Sequence, residues 1–155
     1  MSNYPYRESI TPKQPYSQMQ DMVSDIVELY HTELKNKKMY QPLIDLVPNM
    51  EEEEIVMGII DHTNNNIHYL SQMYMGLTGD TIDTSPMTLE EPPILSYKEL
   101  LRNVLFSKTD TLEQYETIYR LIPLQPYKDL LFEIIICQLK DATSVNYLIS
   151  LQTQM

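Results

Sequence analysis

The stretch Ile55–Tyr74, IVMGIIDHTNNNIHYLSQMY, poses the problem that decides the fold. Ile55, Ile59, Asn66, Leu70 and Met73 fall on one side of a helix at steps of three, four or seven. Asn64, Asn65 and Asn66 interrupt it. Asparagine is a poor helix former, because its side chain competes for backbone hydrogen bonds. A polar group on a buried stripe needs polar partners from other elements. The stretch therefore predicts a helix inside an assembly that carries a polar layer.

Outward from it, Glu51–Glu54 place four negative charges at the positive end of the helix dipole. Gly79 follows as a C′ residue, which predicts a helix over about 51–77. A first helix is expected over about 19–46, with Met22, Ile26, Leu29, Glu33, Tyr40 and Leu43 on one face, ended by Pro48-Asn49. Residues 80–95, with Pro86, Pro92 and Pro93, read as a long crossover. A third helix is expected over about 96–122, with Ser96 and Glu99 at capping-box spacing, and Pro123 and Pro126 end it. A fourth runs from about Tyr127 to Leu151, with Leu131, Ile134, Ile135, Gln138, Ala142, Val145 and Ile149 on its buried side.

The predicted organisation is an arm over 1–18, extended or disordered, and a four-helix domain over 19–151. The domain consists of a hairpin 19–79, the crossover 80–95 and a hairpin 96–151. The arm carries Tyr4, Tyr6 and Tyr16, which serve as a loose tail or dock on the domain or a partner. Three glycines in 155 residues are few for a turn-rich β protein, which favours helices, and with the four expected helices the expected class is all-α. A net charge of −11 argues against nucleic-acid binding, which needs clustered Lys and Arg. One cysteine, Cys137, excludes an internal disulfide and a multi-cysteine metal site. Neither a signal peptide nor a spanning segment is recognisable, so no membrane role is expected and the expected location is the cytoplasm.

The two hairpins match at an offset of 75 residues. Tyr40 corresponds to Tyr115, Leu46-Val47-Pro48 to Leu121-Ile122-Pro123, Ile59-Ile60 to Ile134-Ile135, Leu43 to Ile118 and Leu70 to Val145. A repeated helical hairpin predicts a pseudo-twofold bundle with a long middle crossover. Under the same offset Glu33 corresponds to Lys108, Thr63 to Gln138, and Asn66 to Asp141. All six positions project toward the bundle axis and form the polar layer.

At this point the chain resembles the ferritin-like, rubrerythrin-related carboxylate proteins over about residues 20–150. The resemblance rests on HTELKNKKMYQPLIDLVPN, HYLSQMYMGLTG, YETIYRLIP and LFEIIICQLKDATSVNYLI, taken in order. It implies a ferritin-like four-helix bundle. In that family two helices each supply a Glu and two supply Glu-x-x-His, which hold two iron or manganese ions. Carried across, only Glu33 matches. Thr63 and Gln138 stand for Glu, Asn66 and Asp141 for His, and Lys108 for Glu. Lys108 also brings positive charge where two cations would sit.

The expectation is a degenerate ferritin-like protein, without a di-metal centre or catalytic residues. Its core would be a hydrogen-bonded cluster in which Lys108 bridges Glu33 and Asp141, with Tyr40 and Tyr115 bonded to it. A structural or protein-interaction role follows, with a homodimer or another protein as partner and no cofactor. Two other readings stay open. One is a residual iron- or manganese-binding oxidoreductase using Glu33 and Asp141, with His31, His62 or His68 as a displaced ligand. The other is a small-molecule binder in the bundle core. His62 and His68, six residues apart, share no face well and read as surface or half-buried structural residues, as does His31.

Overall fold

A computed structural model describes residues 15–152. Its elements are α1 (Pro15–Tyr40), α2 (Leu43–Leu46), α3 (Met50–Thr78), α4 (Tyr97–Leu121) and α5 (Gln125–Gln152). The four long helices form the bundle and α2 is a single turn between α1 and α3. Tyr4 and Tyr6 lie outside the described residues.

Two boundaries differ from expectation for the same reason, proline chemistry. Helix α1 begins at Pro15, inside the expected arm. A proline is well placed in a first turn, where its missing N–H is not needed. The predicted single helix over 19–46 breaks at Gln41-Pro42, because an interior proline removes a ladder bond and crowds the preceding turn. The other ends carry the anticipated caps. Asn49 accepts from the Glu52 N–H, Ser96 and Glu99 complete a capping box, and Gly79 closes α3 at φ 78°.

Cross-helix contacts set the topology. Tyr40 meets Ser107 while Glu33 meets Tyr115, so α1 and α4 run antiparallel. His62 meets Asp141 while Glu52 meets Gln152, so α3 and α5 do too. The crossover therefore traverses the bundle alongside α1, where His31 reaches the Asp83 carbonyl and Lys38 pairs with Glu91 at 3.0 Å.

The buried stripe of α5 is Leu131, Ile134, Gln138, Asp141, Val145 and Leu148. Asp141 and Leu148 take the places expected for Ala142 and Ile149, which are only half-buried, as is Ile135. On α3 the stripe is as read except for Ile55, also half-buried.

The apolar core is divided in two. One cluster gathers Met22, Ile26, Leu29, Leu70, Met73, Tyr115, Ile118, Leu131 and Ile134. The other gathers Tyr40, Leu43, Val56, Ile59, Leu101, Val104, Val145 and Leu148. Positions 75 apart exchange the clusters: Ile26 with Leu101, Leu29 with Val104, Leu70 with Val145, Met73 with Leu148, Tyr115 with Tyr40. Between the two clusters lies a belt of buried polar side chains.

At one end of the bundle Glu52, 3% exposed, ties three helices together. It accepts from Asn49, from the Tyr97 hydroxyl at 3.2 Å and from the Gln152 amide at 2.6 Å. At the other end Gly76 lets α3 approach α5 closely, since a Cβ there would fall 1.7 Å from the Tyr127 phenol oxygen.

Candidate functional site: a buried polar layer

All eight polar and tyrosine positions expected at the bundle axis are buried. Glu33, Thr63, Asn66, Lys108, Gln138, Asp141, Tyr40 and Tyr115 are each no more than 3% exposed. Helix α1 supplies Glu33 and Tyr40, α3 supplies Thr63 and Asn66, α4 supplies Lys108 and Tyr115, and α5 supplies Gln138 and Asp141. Each i, i+3 pair shares a face, which is why both members reach inward.

The layer splits into two groups. In the first, the Lys108 ammonium donates to Thr63 Oγ1 at 3.2 Å and to Gln138 Oε1 at 3.1 Å. It stands 3.2 Å from Asp141 Oδ2 and lies over the Tyr40 ring, 5.5 Å from its centre. Asp141 Oδ2 has no hydrogen bond of good geometry, so that contact is ionic. The Gln138 amide donates to Thr111 Oγ1 at 2.5 Å, and the Thr111 hydroxyl reaches the Ser107 carbonyl. In the second group, the Glu33 carboxylate accepts from Asn36 at 3.0 Å, Asn66 at 3.2 Å and the Tyr115 hydroxyl at 2.9 Å.

This corrects one expectation. Lys108 does not bridge Glu33 and Asp141; among the described residues it pairs with Asp141 alone. Three neutral donors already occupy Glu33, while Thr63 and Gln138 hold the ammonium on the Asp141 side. A second expectation is corrected at Tyr40, whose hydroxyl does not bond the layer. Its hydroxyl bonds Ser107, and it offers Lys108 its ring.

Three contributors escaped the sequence reading. Asn36 and Thr111 are buried members, and they are 75 residues apart, each three past Glu33 or Lys108. Extending the offset by one turn would have found them. His62, with 38% of its side chain exposed, sets Nδ1 2.7 Å from Asp141 Oδ1. No periodicity signals this, because the ring reaches sideways across the α3–α5 seam. His31 and His68 stay outside the layer, on the Asp83 carbonyl and beside Tyr69. A cavity of about 100 Å³ opens on the same seam, lined by His62, Asn66, Tyr69, Glu133 and Cys137.

The two buried tyrosines are strongly perturbed. Burial, then the nearby Glu33 charge, holds the Tyr115 phenol well above its usual range, and the same two causes raise Tyr40. The unfolded phenol titrates near about 10. Above that pH the unfolded chain releases protons that the folded chain keeps, so folding stability is present below about pH 10 and falls as pH rises. We expect a loss of up to about 1.4 kcal/mol per pH unit for each phenol. Urea unfolding across this range should show a shallower alkaline slope in Tyr115→Phe than in the parent.

The residues do not fit a dinuclear metal centre. Two divalent ions need several bridging and terminal carboxylates with imidazoles. Here an ammonium stands among the inward donors, and its one carboxylate partner already carries His62. Among the described residues no group of three or more His, Cys, Asp or Glu side chains is placed to hold an ion. No described helix is long and apolar enough to cross a membrane.

The architecture has a solved counterpart. A crystal structure of a ferritin-like, diiron-carboxylate protein from Bacillus anthracis str. Ames superposes with a TM-score of 0.73, covering 85% of this chain and 97% of that one. The fold is ferritin-like. Sequence identity over the match is 16%, so the likeness is one of fold. No family model matches the chain, and no curated protein is similar to it in sequence.

Proposed function

We propose that this chain is a degenerate ferritin-like protein. Its interior carries a structural polar layer in place of a dinuclear centre, and it works through protein association in the cytoplasm rather than through redox chemistry. The observation that carries this reading is Lys108, 1% exposed, with its ammonium on Thr63, Gln138 and Asp141. A buried charge is tolerable only when paired and hydrogen-bonded, and this one is both. A lysine so held supplies the positive charge that bound metal ions would otherwise bring between the helices. Glu33 and Asp141, the carboxylates a residual metal site would use, belong to separate hydrogen-bonded groups.

The test is elemental analysis of protein purified without chelator, followed by iron titration. Substoichiometric metal is expected, with no saturable uptake. Near-stoichiometric iron or manganese that is lost in Glu33→Ala would favour the residual-oxidoreductase reading instead. The register has its own test. Thr63→Glu, Asn66→His, Lys108→Glu, Gln138→Glu and Asp141→His combined in one chain should create iron uptake. A well-folded variant that takes up none would refute the assignment of these positions.

A further inference from the structure

Helix α5 carries apolar side chains on its outer face as well as on its inner one. Its inner stripe, Leu131 to Leu148, steps by three and four residues. A second stripe two positions earlier repeats that spacing: Asp129, Phe132, Ile136, Leu139, Thr143 and Asn146. Two residues correspond to about 200° of turn, so this stripe points away from the bundle. Phe132 is 54% and Leu139 47% exposed. Large apolar side chains gathered at the middle of one exposed helix face mark an association surface.

We infer that this face pairs with the same face of a second copy, as an antiparallel, coiled-coil-like homodimer. Charge complementarity between Glu133 and Lys140 across such a pair carries the choice of occupant. The stripe is a heptad seam, and in an antiparallel pair each a position faces a d position. Centring the pair between Ile136 and Leu139 sets those two residues opposite each other, Phe132 opposite Thr143, and Asp129 opposite Asn146. The Ile136–Leu139 layers meet in the middle, the Phe132–Thr143 layers flank them, and the polar Asp129–Asn146 layers close the ends. The same register brings Glu133 beside Lys140 of the other copy, twice by symmetry. Both are exposed, and neither has an ion-pair partner among the described residues. The seam is short for a permanent assembly, so a weak, concentration-dependent dimer is expected.

This deepens the association reading and rests on it only for the role, since dimerisation is measured independently of metal content. Sedimentation equilibrium of the full chain over roughly 1 μM to 1 mM should show a monomer–dimer equilibrium. Phe132→Glu should shift its midpoint about tenfold or more upward with the thermal unfolding midpoint kept, the surface position leaving the core intact. Glu133→Lys and Lys140→Glu should each weaken the dimer, and the two together should restore it. A monomer at every concentration would overturn the proposal. So would a dimer indifferent to Phe132→Glu, which would lie on another face. A charge-swapped double variant no better than either single one would rule out the antiparallel register.

Discussion

Lys108→Ala will lower the unfolding free energy by about 3–5 kcal/mol, the usual cost of orphaning one member of a buried ion pair. At this chain length that moves the thermal midpoint down by on the order of 10 °C. The change strips the ammonium from Asp141 and the donor from Thr63 Oγ1 and Gln138 Oε1. It also opens a cavity against the Tyr40 ring. Lys108→Met separates volume from charge, because it fills the space and still leaves Asp141 without its ammonium partner, with only the half-exposed His62 beside it, so most of the loss should persist. Lys108→Met with Asp141→Leu removes both charges together and should recover much of the stability, since a buried pair is often no more stabilising than well-packed apolar residues. His62 tolerates this, being exposed enough for water to replace its partner. Urea unfolding decides the matter. A Lys108→Ala midpoint equal to the parent's would mean that the ammonium lies in solvent.

The second large effect is at Glu33. Glu33→Ala removes the acceptor of three buried donors at once, the Asn36 and Asn66 amides and the Tyr115 hydroxyl. Buried donors without acceptors cost about 1–3 kcal/mol each, partly relieved by rearrangement, so a loss of about 3 kcal/mol is expected. Glu33→Gln preserves shape but turns an N–H₂ toward groups that also donate, and it should recover only part. Tyr115→Phe alone should cost about 1–2 kcal/mol, and much less in the Glu33→Ala background, where its partner is already gone. A double-mutant cycle that is additive would show that Tyr115 and Glu33 do not touch.

These expectations depend on a placement that the sequence made legible to different degrees. The helices were readable because apolar periodicity, caps and the offset of 75 residues all report local or repeated geometry. Where prediction slipped at Pro15 and Pro42, the cause was again local, a proline whose effect depends on its place in the turn. Membership of the polar layer was also readable, since a buried stripe passing through Glu33, Asn66, Lys108 or Gln138 carries its polar residue inward with it.

By itself, then, the sequence determined which residues face the axis, because the direction of a side chain follows from the helical repeat. Only the tertiary structure decided which of them bond one another. Lys108 is as near in pattern to Glu33 as to Asp141, and the choice falls to Asp141 because three donors from α1, α3 and α4 already surround Glu33. His62 joins the layer through a sideways reach between helices that no spacing along one chain encodes. Hydrogen-bond partnership is settled by ångströms between helices, whereas periodicity records only angles within each of them.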